Sequence, residues 1–579
     1  MCVLPVKKYI HISSLTRKYI QKGDLILGPW CDHVDFFKNS EKYLIDPSKN
    51  KIDLRGSNIY CDKVILEILD KTSIALNSHH GLKYSSAFWN ILLSNWITCI
   101  VNNLHYYHVQ IDRISNTLSE DFIILTDEEF DFFRISDPYQ NMHNDKYIHS
   151  LISFLVINTK YKNIICKNFS VMKKNFYKNF NTETPFLKRI VWLLLRFSNK
   201  KKLFYGIAGL KGSEFYASFF KLKGYQISNK SSISYLKKDL TQREKFKVSN
   251  FGNDVFINLV CKFVEQNIPS TVLENFNCLI GQAKDYHNKS IAVATPGMYQ
   301  DEQLIELALA KEVNNAKIIQ VQEAGNGMDK YCASSNFLYG PIDYYLTWGW
   351  IQHVKYNGMF KVIPSRLSIF KNMHKVEFDN ILYLTKFPIM HAGLYDSTII
   401  KNWRKYYKNR LDFIEYINKT KLSNRLILKL HHGSSKGFNE KMVMDNMGCQ
   451  VKYFHDEKVS IKNTKILFVD YLSSIFFESM AYNTPVIMCI DPEVNEANSQ
   501  LQFYIDRFID VGIIFTDAVE AAKKVNSVYK DVDLFWNSNE IQLLRSDFIE
   551  AYVVTSNDWL KDTLSCIDDI DRNTSKIKC

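Results

Sequence analysis

The most informative polar residues of the sequence surround one apolar run, KILFVDYLSSIFFESMAYNTPVIMCID, at residues 465–491. The part KILFV is typical of a buried strand and leads to Asp470, after which Ser473 or Ser474 can cap a helix. The first turn of a helix carries free backbone N–H groups and the positive end of the helix dipole, so it can bind phosphate. Glu478 follows Ser474 by one turn and can accept hydrogen bonds from ribose hydroxyls. The spacing predicts a nucleotide site, and an ordinary capped helix is the alternative.

A second polar group ends another apolar run, RLILKLHH, at residues 425–432. Lys429, His431 and His432 are cations or can become cations, and fixed positive charge neutralises a departing diphosphate. Successive side chains of a strand point to opposite faces, so only one of His431 and His432 can act at a given site. A solvated loop is the alternative interpretation.

Two glutamates are candidates for the general base of a transfer reaction. Glu323 follows the strand-like run IIQVQ and precedes a glycine-containing turn. Glu214 lies in the first turn of an expected helix, where the helix dipole stabilises any carboxylate. A carboxylate can act as a base if partial burial adjusts its pKa. Surface carboxylates without a catalytic role are the alternative for both.

The elements that must position these residues alternate between short apolar runs and longer amphipathic ones from residue 203 onwards. The expected strands are 203–209, 290–296, 318–325, 343–348, 380–387, 425–432, 465–470 and 485–491, and the expected helices between them include 402–417 and 474–482. Strands separated by helices predict parallel sheets covered on both faces. We therefore expect an α/β protein with two doubly wound halves that meet near residue 375. Ligands of such sheets bind beyond the carboxyl ends of the strands.

Composition and charge limit the class of protein. The chain has 579 residues, of which 46% are hydrophobic, and 73 Lys and Arg stand against 61 Asp and Glu. The net charge of +12 favours anionic partners without selecting one. Twelve scattered cysteines without a CxxC pair predict free thiols in a reducing compartment and no zinc site. Without a signal peptide or a spanning segment, we expect a cytoplasmic protein.

The order of five motifs resembles a bacterial family of transferases associated with surface-polysaccharide synthesis. The motifs are LGPWC (27–31), FWNILLSNWI (88–97), IIQVQEAGNG (318–327), DYYLTWGW (343–350) and FESMAYNTPVI (477–487). The resemblance covers residues 24–570. It implies two Rossmann-like domains in a GT-B-like arrangement and transfer from a nucleotide-activated donor. The N-terminal, acceptor-side domain with helical insertions would comprise residues 1–375. The donor-binding domain would comprise residues 376–579, with its last helices packed back on the first domain.

Two departures from related patterns affect this expectation. The segment VDYLSSIFFESMA also resembles the donor-binding segment of CDP-glycerol glycerophosphotransferases, but Leu472 interrupts their Asp-Tyr-Ser-Ser run. The transferase family has Gln-His-Gly-Gly where this chain has Gln322, Glu323, Ala324 and Gly325. If the family histidine is catalytic, Glu323 either replaces it or marks a changed or lost activity.

The leading functional expectation is a metal-independent glycosyltransferase that acts on a glycan or lipid-linked acceptor. Ser473, Ser474 and Glu478 would bind the nucleotide-sugar donor, which is a substrate, so no cofactor is expected. Lys429 with His431 or His432 would stabilise the leaving diphosphate, and Glu323 or Glu214 would deprotonate the acceptor. No DxD pair ends an expected strand, so no metal is assigned.

Three alternatives remain open from the sequence. They are a glycerophosphotransferase, a non-catalytic protein of the same fold, and a nucleic-acid-binding protein, which rests on the net charge and on the Lys-rich and aromatic-rich stretch at residues 160–202. A Lys-rich and aromatic-rich stretch at residues 160–202 permits peripheral contact with the inner face of the cell membrane, although a solvated helical face is the simpler interpretation.

Overall fold

The computed structural model places the chain in three parallel sheets with surrounding helices. It describes residues 8–28, 30–31, 43–45, 53–127, 134–135, 145–168, 202–204, 225–227, 238–248, 252–283, 289–294, 301–322, 342–349, 359–385, 403–430, 440–446, 448, 451–453, 459–492, 497 and 499–576. Glu214, Glu323, His431 and His432 lie outside these residues.

The strands of the described residues are short and are joined only by parallel pairings. They are β1 (Tyr9–His11), β2 (Leu25–Ile26), β3 (Phe122–Thr126), β4 (Ile164–Asn168), β5 (Lys202–Phe204), β6 (Tyr225–Ile227), β7 (Ile291–Ala294), β8 (Lys317–Val321), β9 (Tyr344–Thr347), β10 (Met359–Val362), β11 (Phe378–Leu384), β12 (Leu426–Lys429), β13 (Lys452–Tyr453), β14 (Thr464–Val469), β15 (Val486–Cys489) and β16 (Ile514–Phe515).

The α-helices of the described residues lie between and after these strands. They are α1 (Leu54–His80), α2 (Ser86–Ser115), α3 (Asp145–Asn158), α4 (Leu240–Lys245), α5 (Val255–Asn267), α6 (Phe276–Ala283), α7 (Asp301–Asn314), α8 (Trp403–Asn418), α9 (Glu440–Asn446), α10 (Ser474–Tyr482), α11 (Ser499–Asp510), α12 (Ala518–Val528), α13 (Val532–Trp536), α14 (Asn539–Tyr552) and α15 (Trp559–Lys576).

The last sheet has the order β13-β12-β11-β14-β15-β16, so successive strands are added outwards in two directions from β11. In chain order this is the 3-2-1-4-5-6 arrangement of a Rossmann sheet. All its described strands come from residues after 375. The apolar runs of β14 and β15 are almost entirely buried because helices cover both faces of such a sheet.

The middle sheet has the order β10-β9-β8-β7-β5-β6 and reverses direction between β5 and β7. It is therefore also doubly wound, with a crevice expected beyond the carboxyl ends of the reversing strands. The α/β class and the two doubly wound parallel sheets that the sequence predicts are confirmed. The boundary near residue 375 stays a prediction.

A third sheet, β2-β1-β3-β4, precedes the middle sheet and has no counterpart in the sequence-based expectation. Two of its strands, β2 and β3, lie in the apolar runs DLILGPWC (24–31) and FIILTD (122–127), which are typical of buried strands, but β1 and β2 have only three and two residues. Long helices α1 and α2 join β2 to β3, and α2 packs against α7 of the middle sheet. At the edge of this third sheet, β4 is an exposed strand, so residues 164–168 are not part of a helical face.

The carboxyl-terminal segment packs back on the middle sheet. The amide of Val554 donates to the carbonyl of Trp348 over 2.8 Å, and the amide of Ser365 donates to the carbonyl of Val554 over 2.6 Å. Gly349 has φ +138°, and a Cβ there would lie 2.4 Å from the carbonyl oxygen of Ala551. The glycine of the DYYLTWGW motif therefore permits close approach of α14 to the end of β9.

The apolar core is continuous. Buried residues from all three sheets and their helices form one cluster that extends from Ile10 to Ile570. Within the described residues, no helix is both long enough and apolar enough to cross a bilayer.

Candidate functional site

The candidate site lies at the carboxyl edge of the last sheet, where the strand order reverses between β11 and β14. Leu384 of β11 is in register with Lys429 of β12 on one side and with Val469 of β14 on the other. Neighbouring strands are about 4.8 Å apart, so Lys429 and Val469 are separated by about 10 Å across this edge. The predicted donor residues of two separate sequence runs therefore reach the same end of one sheet.

Helix α10 opens at this edge directly after β14. Ser473 is its N-cap in extended conformation, and its Oγ accepts a hydrogen bond from the amide of Ile475 over 3.2 Å. Ser474 is the first helical residue and is half-buried. The sequence predicts this helix, its start and its cap correctly. Such an N-terminus presents backbone N–H groups and the positive end of a helix dipole towards the edge of the sheet.

The turn before α10 is held by a buried charge cluster around Asp470. Oδ2 of Asp470 accepts hydrogen bonds from Nε of Arg410 at 2.9 Å and from the hydroxyl of Tyr383 at 2.8 Å, while Oδ1 accepts from the hydroxyl of Tyr406 at 2.9 Å. Nη1 of Arg410 also contacts Glu440, and neither Arg410 nor Glu440 is accessible to solvent. Because three donors occupy its carboxylate, Asp470 serves to position the turn and is not available as a base.

The protonation states of this cluster follow from burial and neighbouring charge. Burial lowers the pKa of Arg410, but Asp470, Tyr406 and Glu440 raise it by more, so the guanidinium stays charged. Burial, reinforced by Asp470, raises the pKa of Tyr383, so its hydroxyl stays protonated and donates. The cluster therefore has fixed donors and acceptors, which is the condition for a buried ion pair to hold one geometry.

Lys429 lies at the end of β12, as predicted, and is half-buried. Its Nζ donates to the carbonyl of Val459 over 3.3 Å. On the other side of β14, Asp491 follows β15 and is paired with Lys405 of α8 at 2.9 Å, and Lys405 is 43% exposed. Lys429 therefore adds positive charge to that of the helix terminus, whereas the charge of Lys405 is balanced by Asp491.

Glu478 lies on α10, one turn from Ser474, and is half-buried. Burial raises the pKa of its carboxyl group, and the nearby Arg366 and Lys462 lower it in part. Arg366 belongs to a 3₁₀ turn, Arg366–Phe370, that packs against α10. Its Nε is buried and makes no hydrogen bond within the described part of the chain. Glu478 and Arg366 therefore carry opposite charges on the side of α10 that faces this turn.

The other end of α10 is capped by residues that sequence reasoning did not identify. Nε of the buried Arg545 donates to the carbonyl of Met480 over 2.7 Å, and its Nη2 donates to Oδ1 of Asn372 over 2.6 Å. Nε1 of Trp536 donates to Oδ1 of Asn483, which follows the helix in left-handed conformation. Arg545 satisfies carbonyl groups at the negative end of the helix dipole, so α10 is anchored at one end and opens to the sheet edge at the other.

Sequence reasoning also missed Arg410, Glu440 and the tyrosines around Asp470. The only indication in the sequence is that Arg410 follows Tyr406 and Tyr407 by four and three residues in the amphipathic run of α8, which places the three side chains near one another on the helix. The pattern gives no indication that these side chains turn towards the end of β14.

The predicted bases and histidines lie outside the described residues, but the strand before Glu323 is described. Gln322, which precedes Glu323, is buried, and its Oε1 accepts a hydrogen bond from the amide of Trp348 over 2.7 Å. The end of β8 is therefore fixed to the end of β9. Among the residues described, no three His, Cys, Asp or Glu side chains form a metal-binding group.

Two solved structures illustrate the distant similarity of this chain to glycosyltransferases. A mutant of the Thermobaculum terrenum O-GlcNAc transferase is 10% identical, with 64% of this chain and 67% of that chain covered and a TM-score of 0.31. The spinosyn rhamnosyltransferase SpnG, complexed with spinosyn aglycone, is 8% identical, with 64% of this chain and 100% of that chain covered and a TM-score of 0.26. These scores are too low to carry a functional argument.

Sequence comparisons match this chain to a family model and to no curated protein. No curated protein gives a significant match. The model of the LIC12162 family transferases matches residues 10–567, which is nearly the whole chain. The chain therefore belongs to the LIC12162 family of transferases.

Proposed function

We propose that this transferase is a metal-independent glycosyltransferase with a GT-B-like arrangement of its two doubly wound sheets. It moves a sugar from a nucleotide-activated donor to a surface-polysaccharide or other glycoconjugate acceptor. The observation that carries the proposal is the opening of α10 at the switch point of a Rossmann sheet. Nucleotide phosphates bind at such positions because helix N–H groups and the helix dipole converge there.

The donor diphosphate lies at the N-terminus of α10 in this proposal. The hydroxyls of Ser473 and Ser474 and the free amides of the first turn donate to phosphate oxygens. Lys429, about two strands away, neutralises the charge that develops on the leaving diphosphate. His431 and His432 remain proposals for the same role. Asp470 contributes indirectly because Arg410 and two tyrosines fix its carboxylate and with it the start of the helix.

Glu478 accepts hydrogen bonds from the ribose in this proposal. It lies four residues after Ser474, about 6 Å further along the helix axis, which suits the separation of a diphosphate from its ribose. Since burial raises its pKa, a hydroxyl donor that replaces lost water stabilises the charged carboxylate. Arg366 adds positive charge on the same side of α10.

The acceptor side rests on sequence alone. Glu323 or Glu214 takes the proton of the acceptor hydroxyl, and a glycan or a lipid-linked sugar is the acceptor. We place the reaction in the cytoplasm, at the inner face of the membrane for a lipid-linked acceptor. The eight cysteines that the structure describes are free thiols, the state that a reducing compartment maintains.

A thermal-shift screen against UDP, GDP, CDP, CMP and their sugars tests this proposal. A ligand that binds only the folded protein raises the apparent stability of the protein. We expect one base to stabilise the protein selectively, and the corresponding nucleotide sugar then serves in a transfer assay. Stabilisation restricted to CMP and CDP-glycerol would contradict sugar transfer and favour the glycerophosphotransferase. Absence of any shift at millimolar nucleotide would contradict both and favour a non-catalytic protein.

A further inference from the structure

The solvent-facing side of α1 carries an unusual stripe of aliphatic residues. Ile59, Leu66 and Ile74 are 62%, 59% and 61% exposed, which places them among the most exposed large hydrophobic residues of the described chain. At 100° per residue they fall within a sector of about 80° on the helix, along about 22 Å of its axis. Single exposed hydrophobic residues are ordinary, but three aligned on one helix face indicate an interaction surface.

Two charged residues complete the stripe. Lys63 and Asp70 are exposed and lie in the same sector, between the aliphatic residues. Neither forms an ion pair with another residue in the described part of the chain, whereas the adjacent Glu67 and Lys71 pair with each other at 2.7 Å. Lys63 acts electrostatically on Asp254 without an ion-pair contact, and both charged side chains are exposed and can reach a partner.

The order of these residues is symmetric about the peptide bond between Leu66 and Glu67. Ile59 and Ile74 are equally far from that point on opposite sides, and so are Lys63 and Asp70. If two copies of α1 pack antiparallel with a two-fold axis at that point, Ile59 meets Ile74 of the second copy. Lys63 then meets Asp70 of the second copy, and Leu66 meets its own equivalent across the axis. The Ile59–Ile74 and Lys63–Asp70 contacts are each made twice and the Leu66 contact once at the axis, as an isologous interface requires.

We propose that α1 forms a two-fold symmetric homodimer through this stripe, with a second copy of the chain as its occupant. In an antiparallel homodimer, the residues of the stripe must complement the same residues read in the opposite direction, and they do. Binding of an unrelated protein would not require this symmetry. The aliphatic residues supply buried area at the interface, and the two Lys63–Asp70 pairs fix its register and antiparallel direction. Interaxial distances of 8–10 Å, common for packed helices, bring such side chains into contact.

Sedimentation equilibrium or light scattering over a range of protein concentrations tests the dimer. We expect the wild type to dimerise as its concentration rises, and Leu66→Glu to weaken dimerisation at least tenfold. Leu543→Glu is the matched control, because Leu543 is a leucine of similar exposure, 66%, on α14. Circular dichroism checks that each variant is folded.

A charge reversal makes the test specific for antiparallel self-pairing. Lys63→Asp alone and Asp70→Lys alone each place like charges opposite one another and weaken the dimer, whereas the double variant restores opposite charges and recovers it. A wild type that stays monomeric, or a double variant weaker than both single variants, would overturn the proposal. Binding of a monomer to vesicles of anionic phospholipid, lost in Leu66→Glu, would overturn it in favour of a membrane surface.

Discussion

Nε of Arg410 on α8 donates a hydrogen bond to Oδ2 of Asp470, 60 residues later, over 2.9 Å. Arg410 is inaccessible to solvent and Asp470 is 7% exposed. This contact ties the middle of α8 to the turn that begins α10. The geometry of the candidate phosphate site therefore depends on a buried ion pair that does not itself reach the donor.

Replacement of Asp470 by Asn tests this dependence. Asn keeps the shape but removes the charge opposite Arg410 and cannot accept from all three donors. We expect a loss of about 3 kcal/mol or more in the free energy of unfolding, because a buried guanidinium loses a partner. Denaturant unfolding measures it. Asp379→Asn, at an exposed pair with Lys465 and Arg425, should cost about 1 kcal/mol or less. Equal losses for the two variants would contradict the account.

Arg545→Met tests how strongly Arg545 anchors the end of α10, and denaturant unfolding measures the change in stability. The variant leaves the carbonyl of Met480 and the amide oxygen of Asn372 without their charged donor, so we expect a loss of about 2–3 kcal/mol in stability. Burial lowers the pKa of Arg545 to about 10, so the arginine is still charged at neutral pH. Arg507→Met, at an exposed pair with Asp547, is the control and should change stability by less than about 1 kcal/mol. A stable Arg545→Met variant would show that the cap is dispensable.

Acid should destabilise the amino-terminal region through buried histidines. Burial lowers the pKa of His149 to about 4, against an ordinary value of 6.5. Between these values the unfolded chain binds a proton that the folded chain does not, so stability falls as pH falls. Asn at position 149 can keep the 2.9 Å hydrogen bond between Ser13 and Nδ1 of His149. We therefore expect His149→Asn to reduce the pH slope of stability by up to about 1.4 kcal/mol per pH unit. Parallel pH profiles for variant and wild type would refute this role.

Glu478→Gln tests the proposed ribose contact. The variant removes a partly buried charge, so we expect its stability to stay within about 1 kcal/mol of the wild type. Nucleotide affinity should fall about tenfold, as expected when a charged acceptor of a hydrogen bond is lost. Calorimetric titration with the nucleotide selected by the screen measures the affinity, and Glu520→Gln on the exposed face of α12 is the matched control. Unchanged affinity in the folded variant would remove Glu478 from the site.

The sequence predicts those parts of the fold that depend on local pattern. The helix Ser474–Tyr482 follows from its cap and its apolar run, and the four central strands of each larger sheet follow from alternation with helices. The edge strands β6, β10, β13 and β16 were not expected. Several strands end earlier than the apolar runs suggest; β12, for example, stops at Lys429, and Leu430 already lies outside it. The third sheet is not apparent because its first two strands have only three and two residues, too few to show an alternating pattern.

The site was predictable only where its residues follow one another along the chain. Ser473, Ser474 and Glu478 share one helix, and Lys429 ends a recognisable strand. Arg410 and Glu440 belong to other elements, and only the tertiary fold brings them to Asp470. Charged residues in amphipathic helices are usually exposed, so sequence alone assigns Arg410 to the solvent face.

The most direct test of the central claim, a phosphate site at the N-terminus of α10, is a calorimetric titration of Ser473→Asp with the preferred nucleoside diphosphate. Aspartate caps a helix as well as serine does, so the fold should be retained, but its charge repels phosphate. Ser538→Asp places the same change at the N-cap of α14, beyond the opposite end of α10. We expect Ser473→Asp to lose nucleotide affinity by at least tenfold and Ser538→Asp to bind like the wild type. Equal binding by both folded variants would contradict it.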